Sequence, residues 1–162
     1  LARTDGRITQ TIEPTAAAII SPNGGTPNEI PNEDSVDLEL RRTIMVVDDH
    51  SMLLKLVCVA LKRTTQYDLK EFNSPDDLLN KYRSAPDSIR LVLTDYNMPQ
   101  MDGPALCDRL HEIEPDLPVV LMSANPRARD ELGSADFSGF LCKPFGEGDL
   151  HKLINTLIPA NN

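Results

Sequence analysis

The residues of this chain best suited to chemistry are Asp48, Asp49, Asp95, Ser123 and Lys143. Each stands where an apolar run stops. Thr43-Ile44-Met45-Val46-Val47 runs into Asp48-Asp49, and Leu91-Val92-Leu93-Thr94 runs into Asp95. Pro118-Val119-Val120-Leu121-Met122 ends at Ser123, and the run from Phe137 to Leu141 leads to Lys143-Pro144. Three carboxylates gathered within about 4 Å would repel by about 4 kcal/mol per pair at an effective dielectric of 20. Lys143 offsets one of those charges. A divalent cation offsets the other two, and an all-oxygen donor set favours Mg2+ or a similar hard ion. Such a site suits phosphoryl transfer. A carboxylate can act as nucleophile and form an acyl phosphate, while cation and ammonium stabilise charge on the transferring oxygens. The Ser123 hydroxyl is placed to hydrogen-bond an arriving phosphoryl oxygen.

These groups meet only if the apolar runs are parallel strands whose C-terminal ends share one edge of a sheet, where open α/β sheets bind ligands. The chain from Thr43 onward supports that arrangement. Strands are predicted over 44–47, 67–72, 89–94, 118–122 and 137–141, each a short apolar run bounded by polar or turn residues. Helices alternate with them. The first covers 51–62 with Leu53, Leu54, Val57 and Leu61 at helical spacing, and Asp49 or Ser51 is its candidate cap. Ser74-Pro75-Asp76-Asp77 opens the second, with a capping Ser, Pro in the first turn and acids at the dipole's positive end; it stops before Pro86. The third begins at Pro104 behind a capping Asp102 and carries Leu106, Leu110 and Ile113. A short fourth is read over 127–132, and a fifth over 147–158 ends before Pro159. Parallel strands need crossover connections, and these are right-handed. The predicted fold is therefore α/β, a doubly wound five-stranded parallel sheet with helices on both faces.

Composition narrows the function. The net charge is −9, which disfavours nucleic-acid binding through a broad basic surface. No apolar run reaches the roughly 18 residues needed to span a membrane. Cys58, Cys107 and Cys142 each lie in apolar segments with no CxxC pair, so all three are read as buried, reduced thiols in a cytoplasmic protein. Residues 1–42 differ from the rest: Pro14, Pro22, Pro27, Pro31 and Gly24-Gly25 punctuate them, and acids cluster between Glu29 and Glu39. They are read as an N-terminal tail and linker, the remnant of an upstream domain. Residues 43–159 form the folded domain. His50 and His151 are read as exposed, because no histidine pair has metal-ligand spacing.

Taken in order, Asp48-Asp49, Asp95-x-x-Met98-Pro99-x-Met101-Asp102-Gly103, Ser123-Ala124 and Lys143-Pro144-Phe145 resemble the receiver domain of two-component response regulators. The resemblance implies the flavodoxin-like strand order 2-1-3-4-5 of the chemotaxis receiver. It implies that Asp95 is the phosphoacceptor, that Asp49 binds Mg2+ directly, that Asp48 helps through water, and that Asn97 offers its backbone carbonyl. Lys143 would contact the phosphoryl group, Ser123 would move toward it, and Phe140 matches the family's switch aromatic. Pro144 would follow a cis peptide bond. The implied partner is a histidine kinase or phosphotransfer protein, and the domain would catalyse only its own phosphorylation and dephosphorylation. The segment from Ala124 to Phe140 is short for the family and contains Pro126, Gly133 and Gly139, so the fourth helix is expected to be abbreviated. That puts dimerisation through the usual face of fourth helix, fifth strand and fifth helix in question. Similar shortening occurs in receivers attached to hybrid histidine kinases.

Two other functions compete. A constitutive interaction module would keep the receiver fold without being phosphorylated; the intact acids and lysine argue against it. A dehalogenase-like phosphatase also uses a strand-end Asp, but it needs a second Asp two residues on, and Asn97 stands there. No GxxxxGK[ST] loop supports a nucleotide hydrolase.

Overall fold

The computed structural model describes residues 41–133 and 136–159. The tail and linker read over 1–42 lie outside the described residues apart from Arg41 and Arg42. Five strands alternate with five α-helices: β1 (Thr43–Val47), α1 (Ser51–Thr64), β2 (Asp68–Phe72), α2 (Pro75–Ser84), β3 (Ile89–Asp95), α3 (Gly103–His111), β4 (Val119–Ser123), α4 (Ala128–Glu131), β5 (Gly139–Cys142) and α5 (Glu147–Leu157). A single 3-10 turn, Pro86–Ser88, leads from α2 into β3. Every strand pairs in parallel, in the order β2-β1-β3-β4-β5 that the motifs implied.

The three central strands are apolar on both sides because both sides are covered. Ile44, Val46, Leu91, Leu93, Val120 and Met122 pack against α1 and α5 through Leu54, Val57, Leu61, Leu150 and Ile154. One residue out of phase, Met45, Val47, Val92 and Val119 pack against α2 and α3 through Leu78, Tyr82, Leu106 and Leu110. The edge strand β2 carries Asp68, Lys70 and Glu71, charges that discourage pairing with another chain.

The helix starts follow local chemistry. Ser74 Oγ accepts from Asp77 N at 3.4 Å, with Pro75 opening α2. Asp102 Oδ1 accepts from Ala105 N at 2.8 Å and caps α3. At α1 neither Asp49 nor Ser51 is the cap: His50 holds that position without a side-chain capping bond, and its backbone N donates to the Asp48 carboxylate. Three packing expectations also need correction. Leu53 is exposed, one step off the buried stripe of Leu54, Val57, Cys58 and Leu61. Ile113 is exposed because α3 ends at His111. Cys142 is exposed rather than buried, while Cys58 and Cys107 are buried as expected. It is the last residue of an edge strand and alternates with buried Leu141, so it points away from α1 and α5. On that side α4 has only four residues, ended by Gly133 at φ 60°, which confirms the abbreviated fourth helix.

β5 starts two residues later than expected. A side chain at Gly139 would come within 3.0 Å of Leu153 on α5, so the glycine permits close strand–helix packing. Phe137 instead packs against the core on the opposite face.

Candidate functional site

β1 and β3 are neighbours at the point where the chain order reverses, so their C-terminal ends flank the crevice that opens there. Asp95 is the last residue of β3 and Asp48 follows the last residue of β1. Asp48 is fully buried and Asp95 nearly so. The Lys143 ammonium bridges them, donating to Asp48 Oδ2 at 2.8 Å and to Asp95 Oδ1 at 2.6 Å. The remaining carboxylate oxygens take backbone donors: His50 N reaches Asp48 Oδ1 at 2.8 Å and Asn97 N reaches Asp95 Oδ2 at 3.1 Å.

Lys143 comes from beyond β5, two strands away from β3. Its backbone N donates to Ser123 O at 2.8 Å, extending the β4–β5 ladder. The residue at the end of the intervening β4 is Ser123, small and buried, over which the lysine chain crosses. The Lys143–Pro144 peptide bond is cis, as the motif implied. Burial acts to lower the Lys143 pKa, but its hydrogen bonds to Asp48 and Asp95, and their charges, outweigh burial and raise it. The lysine therefore stays cationic through the neutral range.

The floor of the site is tight. A Cβ at Gly103 would stand 2.5 Å from Asp95 O and 2.9 Å from Leu121 Cδ2, and Gly103 N donates to Tyr96 O at 2.8 Å. The turn after Asp95 closes only with glycine at this position.

The remaining sequence candidates fall around this centre. Asp49 is half-buried, and its Oδ1 lies 3.2 Å from His50 Nδ1. Asn97 is exposed on the loop after β3. Ser123 Oγ accepts from Asn125 N at 3.1 Å and faces its own loop. Phe140 is half-buried on β5, in register with Leu121. Two participants escaped sequence reading. His50 is exposed as expected, but Asp48, Asp49 and His50 each offer a ligand atom within 4.8 Å of the others, a group that excludes Asp95. Its adjacency to Asp49 was the available signal. Asn73, just past β2, donates to Asp48 O and Ser51 Oγ, both at 3.2 Å, joining the edge strand to the site loop; nothing local marked it.

Three carboxylates against one ammonium leave two uncompensated negative charges. Oxygen donors carrying that charge fit one hard divalent cation.

Beside the site, α1 shows solvent an apolar face of Met52, Leu53, Leu56 and Val59. Leu53, Leu56, Ala124, Pro144 and Phe145 line a shallow apolar groove that reaches Lys143. Among the described residues no helix is long and apolar enough to cross a membrane.

Comparison with known proteins places this arrangement. Residues 44–155 match the response regulator receiver domain family. A protein named as a two-component response regulator, ARR21 of Arabidopsis thaliana, is 32% identical over 122 residues, spanning 75% of this chain and 19% of its own length. The signal transduction histidine-protein kinase BarA of Escherichia coli is 31% identical over 127 residues, spanning 76% of this chain and 14% of its own length. The chain thus covers about a fifth or less of these relatives. In three dimensions it is similar to the response regulator TrrA of Thermotoga maritima, crystallised with Mg2+ and BeF, with a TM-score of 0.65 at 23% identity, covering 72% of this chain and 98% of that one.

Proposed function

The chain belongs to the response regulator receiver domain family, and from that premise we propose that it is a signalling domain that accepts a phosphoryl group on Asp95 from a histidine kinase or phosphotransfer protein. The observation that carries this reading is the Lys143 bridge between Asp48 and Asp95. It gathers carboxylates and a fixed cation at the C-terminal edge of the sheet, open to solvent on the loop side.

In the transfer step a carboxylate oxygen of Asp95 attacks phosphorus. A P–O bond forms as the donor's P–N bond breaks, and the imidazole leaves with a proton taken from solvent. The Lys143 ammonium, already within hydrogen-bonding reach of Asp95, is positioned to contact the incoming oxygens as charge builds on them. The Ser123 hydroxyl would follow once it turns from its own loop toward the phosphoryl group. Asp48, Asp49, Asp95 and the Asn97 carbonyl would hold Mg2+, which when bound would supply positive charge to offset the negative charge on the transferring oxygens. Hydrolysis of the acyl phosphate would reset the domain, so its only catalysis acts on itself.

Phosphorylation is a local charge event that biases a two-state element, and we assign that element to Ser123, at the end of β4, and Phe140, within β5. A donor protein must reach Asp95 over the rim of the site. The exposed apolar face of α1 lies on that rim and is the docking face we assign to it. We read residues 43–159 as the receiver domain, 1–42 as the segment joining it to an upstream domain, and the whole as cytoplasmic. Similarity to BarA and the short α4 favour a hybrid histidine kinase as the parent.

The test is intact-mass analysis after incubation with a small phosphodonor and Mg2+, with Asp95→Asn as control. One phosphate-sized gain that needs Mg2+ and is absent from the variant is expected. No gain in the folded protein, with a kinase donor as well as a small one, would leave the constitutive interaction module as the better account.

A further inference from the structure

The turn from Asp48 to Ser51 is fastened from the edge strand. Asp48 N donates to Phe72 O at 3.2 Å, which carries the β1–β2 pairing one residue past the end of β1. Asn73 then closes the turn. Its amide nitrogen donates to Asp48 O and to Ser51 Oγ, both at 3.2 Å. A backbone carbonyl only accepts, so the Nδ2 end of the amide is the end that faces Asp48. The two bonds fall on either side of Asp49 and His50, one at residue 48 and the other at the first residue of α1.

The acids of the site differ in how they are held. Both carboxylate oxygens of Asp48 have fixed partners, Lys143 Nζ and His50 N. Asp95 likewise has Lys143 Nζ and Asn97 N. Among the described residues the Asp49 carboxylate meets only the exposed His50 ring. Its direction is therefore set by the backbone that carries it, and the side chain that pins that backbone is Asn73.

Resting on the reading of a Mg2+ site given above, we propose that Asn73 is a positioning residue for Asp49. By holding Asp48 O and Ser51 Oγ together it keeps the Asp49 carboxylate aimed into the site, and so sets Mg2+ affinity without touching the ion. In an unpinned turn the entropy of ordering Asp49 is lost each time the ion binds; in a pinned turn it is lost once, on folding. Partners that orient a ligand from behind act on metal affinity in this way.

The test reads Mg2+ binding and phosphorylation separately in the wild type, Asn73→Ala and Ser51→Ala. Mg2+ is titrated into isotope-labelled protein, and the NMR shifts of the site loops give its dissociation constant. Phosphorylation of Asp95 by a small phosphodonor is then measured across Mg2+ concentration. In Asn73→Ala the dissociation constant and the half-saturating Mg2+ concentration should both rise about tenfold, the lower end for outer-shell partners. The rate at saturating Mg2+ should match the wild type. Ser51→Ala, which removes one of the two bonds, should show a smaller rise of the same kind. An unchanged dissociation constant in Asn73→Ala, or a lower saturated rate at an unchanged constant, would overturn the role of Asn73 while leaving the Mg2+ site intact. No Mg2+-dependent shift in the folded wild type would overturn the cation-site reading itself, and this one with it. Asn73 and Ser51 are both exposed, so circular dichroism of the variants should match the wild type.

Discussion

Lys143 shows how much one side chain settles here. It is the cation facing two buried carboxylates, and without it they face each other with only backbone donors. Lys143→Met should lower stability by about 3 kcal/mol, the lower end of the cost of breaking a buried pair, as read by urea denaturation. The pH dependence has a definite sign. The folded-state pKa of Lys143 is raised, so its contribution is complete below the ordinary lysine value and is lost as pH climbs through the raised one. The difference between wild type and Lys143→Met should stay flat from neutral pH to about 10 and shrink only above that. The thiols divide equally clearly. Burial, then the charge and hydrogen bond of Glu71, push Cys58 up to about 12, and burial, then Asp108 and Asp136, push Cys107 up to about 12. Cys142 is exposed at the end of β5. In the native protein a thiol reagent should modify Cys142 rapidly and reach the other two only on unfolding, as peptide mapping of the labelled protein would show.

At the scale of elements, the site depends on how the β3–α3 turn closes. Asp102 caps α3 and Gly103 lets the helix start against the end of β3. The neighbour that a Cβ at 103 would meet first is the backbone oxygen of Asp95, which cannot rotate away. Gly103→Ala should therefore cost about 1–3 kcal/mol, as overpacking does, and should also slow phosphorylation of Asp95 by a small donor. Asp102→Ala removes only a cap and should cost about 1 kcal/mol with the phosphorylation rate unchanged. Measuring stability and rate on both variants separates a displaced carboxylate from a merely weakened helix.

For the whole molecule, the sheet order brings the reacting groups to one end and leaves α1 beside them with apolar side chains in water. If that face receives the donor protein, Leu56→Asp should reduce phosphotransfer from the donor about tenfold or more, a change of about 1.4 kcal/mol or more in binding. Phosphorylation by a small phosphodonor should not change, because Leu56 is 62% exposed and lies outside the acid cluster. Equal rates from the protein donor would remove α1 from the docking face.

The amino-acid sequence by itself determined which segments are strands and helices, and which residues end the strands. Val46-Val47, Leu91 to Leu93 and Val119 to Met122 are apolar without a break, a pattern that fits strands covered on both faces; Ser74 and Asp102 announce their helices by local capping chemistry. Proximity, by contrast, is a property of the assembled sheet. Only the tertiary structure decided that Lys143 crosses the small Ser123 to reach Asp48 and Asp95, because those contacts join residues 95 and 48 positions apart. It likewise decided that Cys142 and Leu53 face outward and that His50 stands within hydrogen-bonding distance of Asp49. Apolar character says that a side chain favours burial, but alternation along an edge strand, the length of a neighbouring helix and the direction of a turn determine whether it is buried.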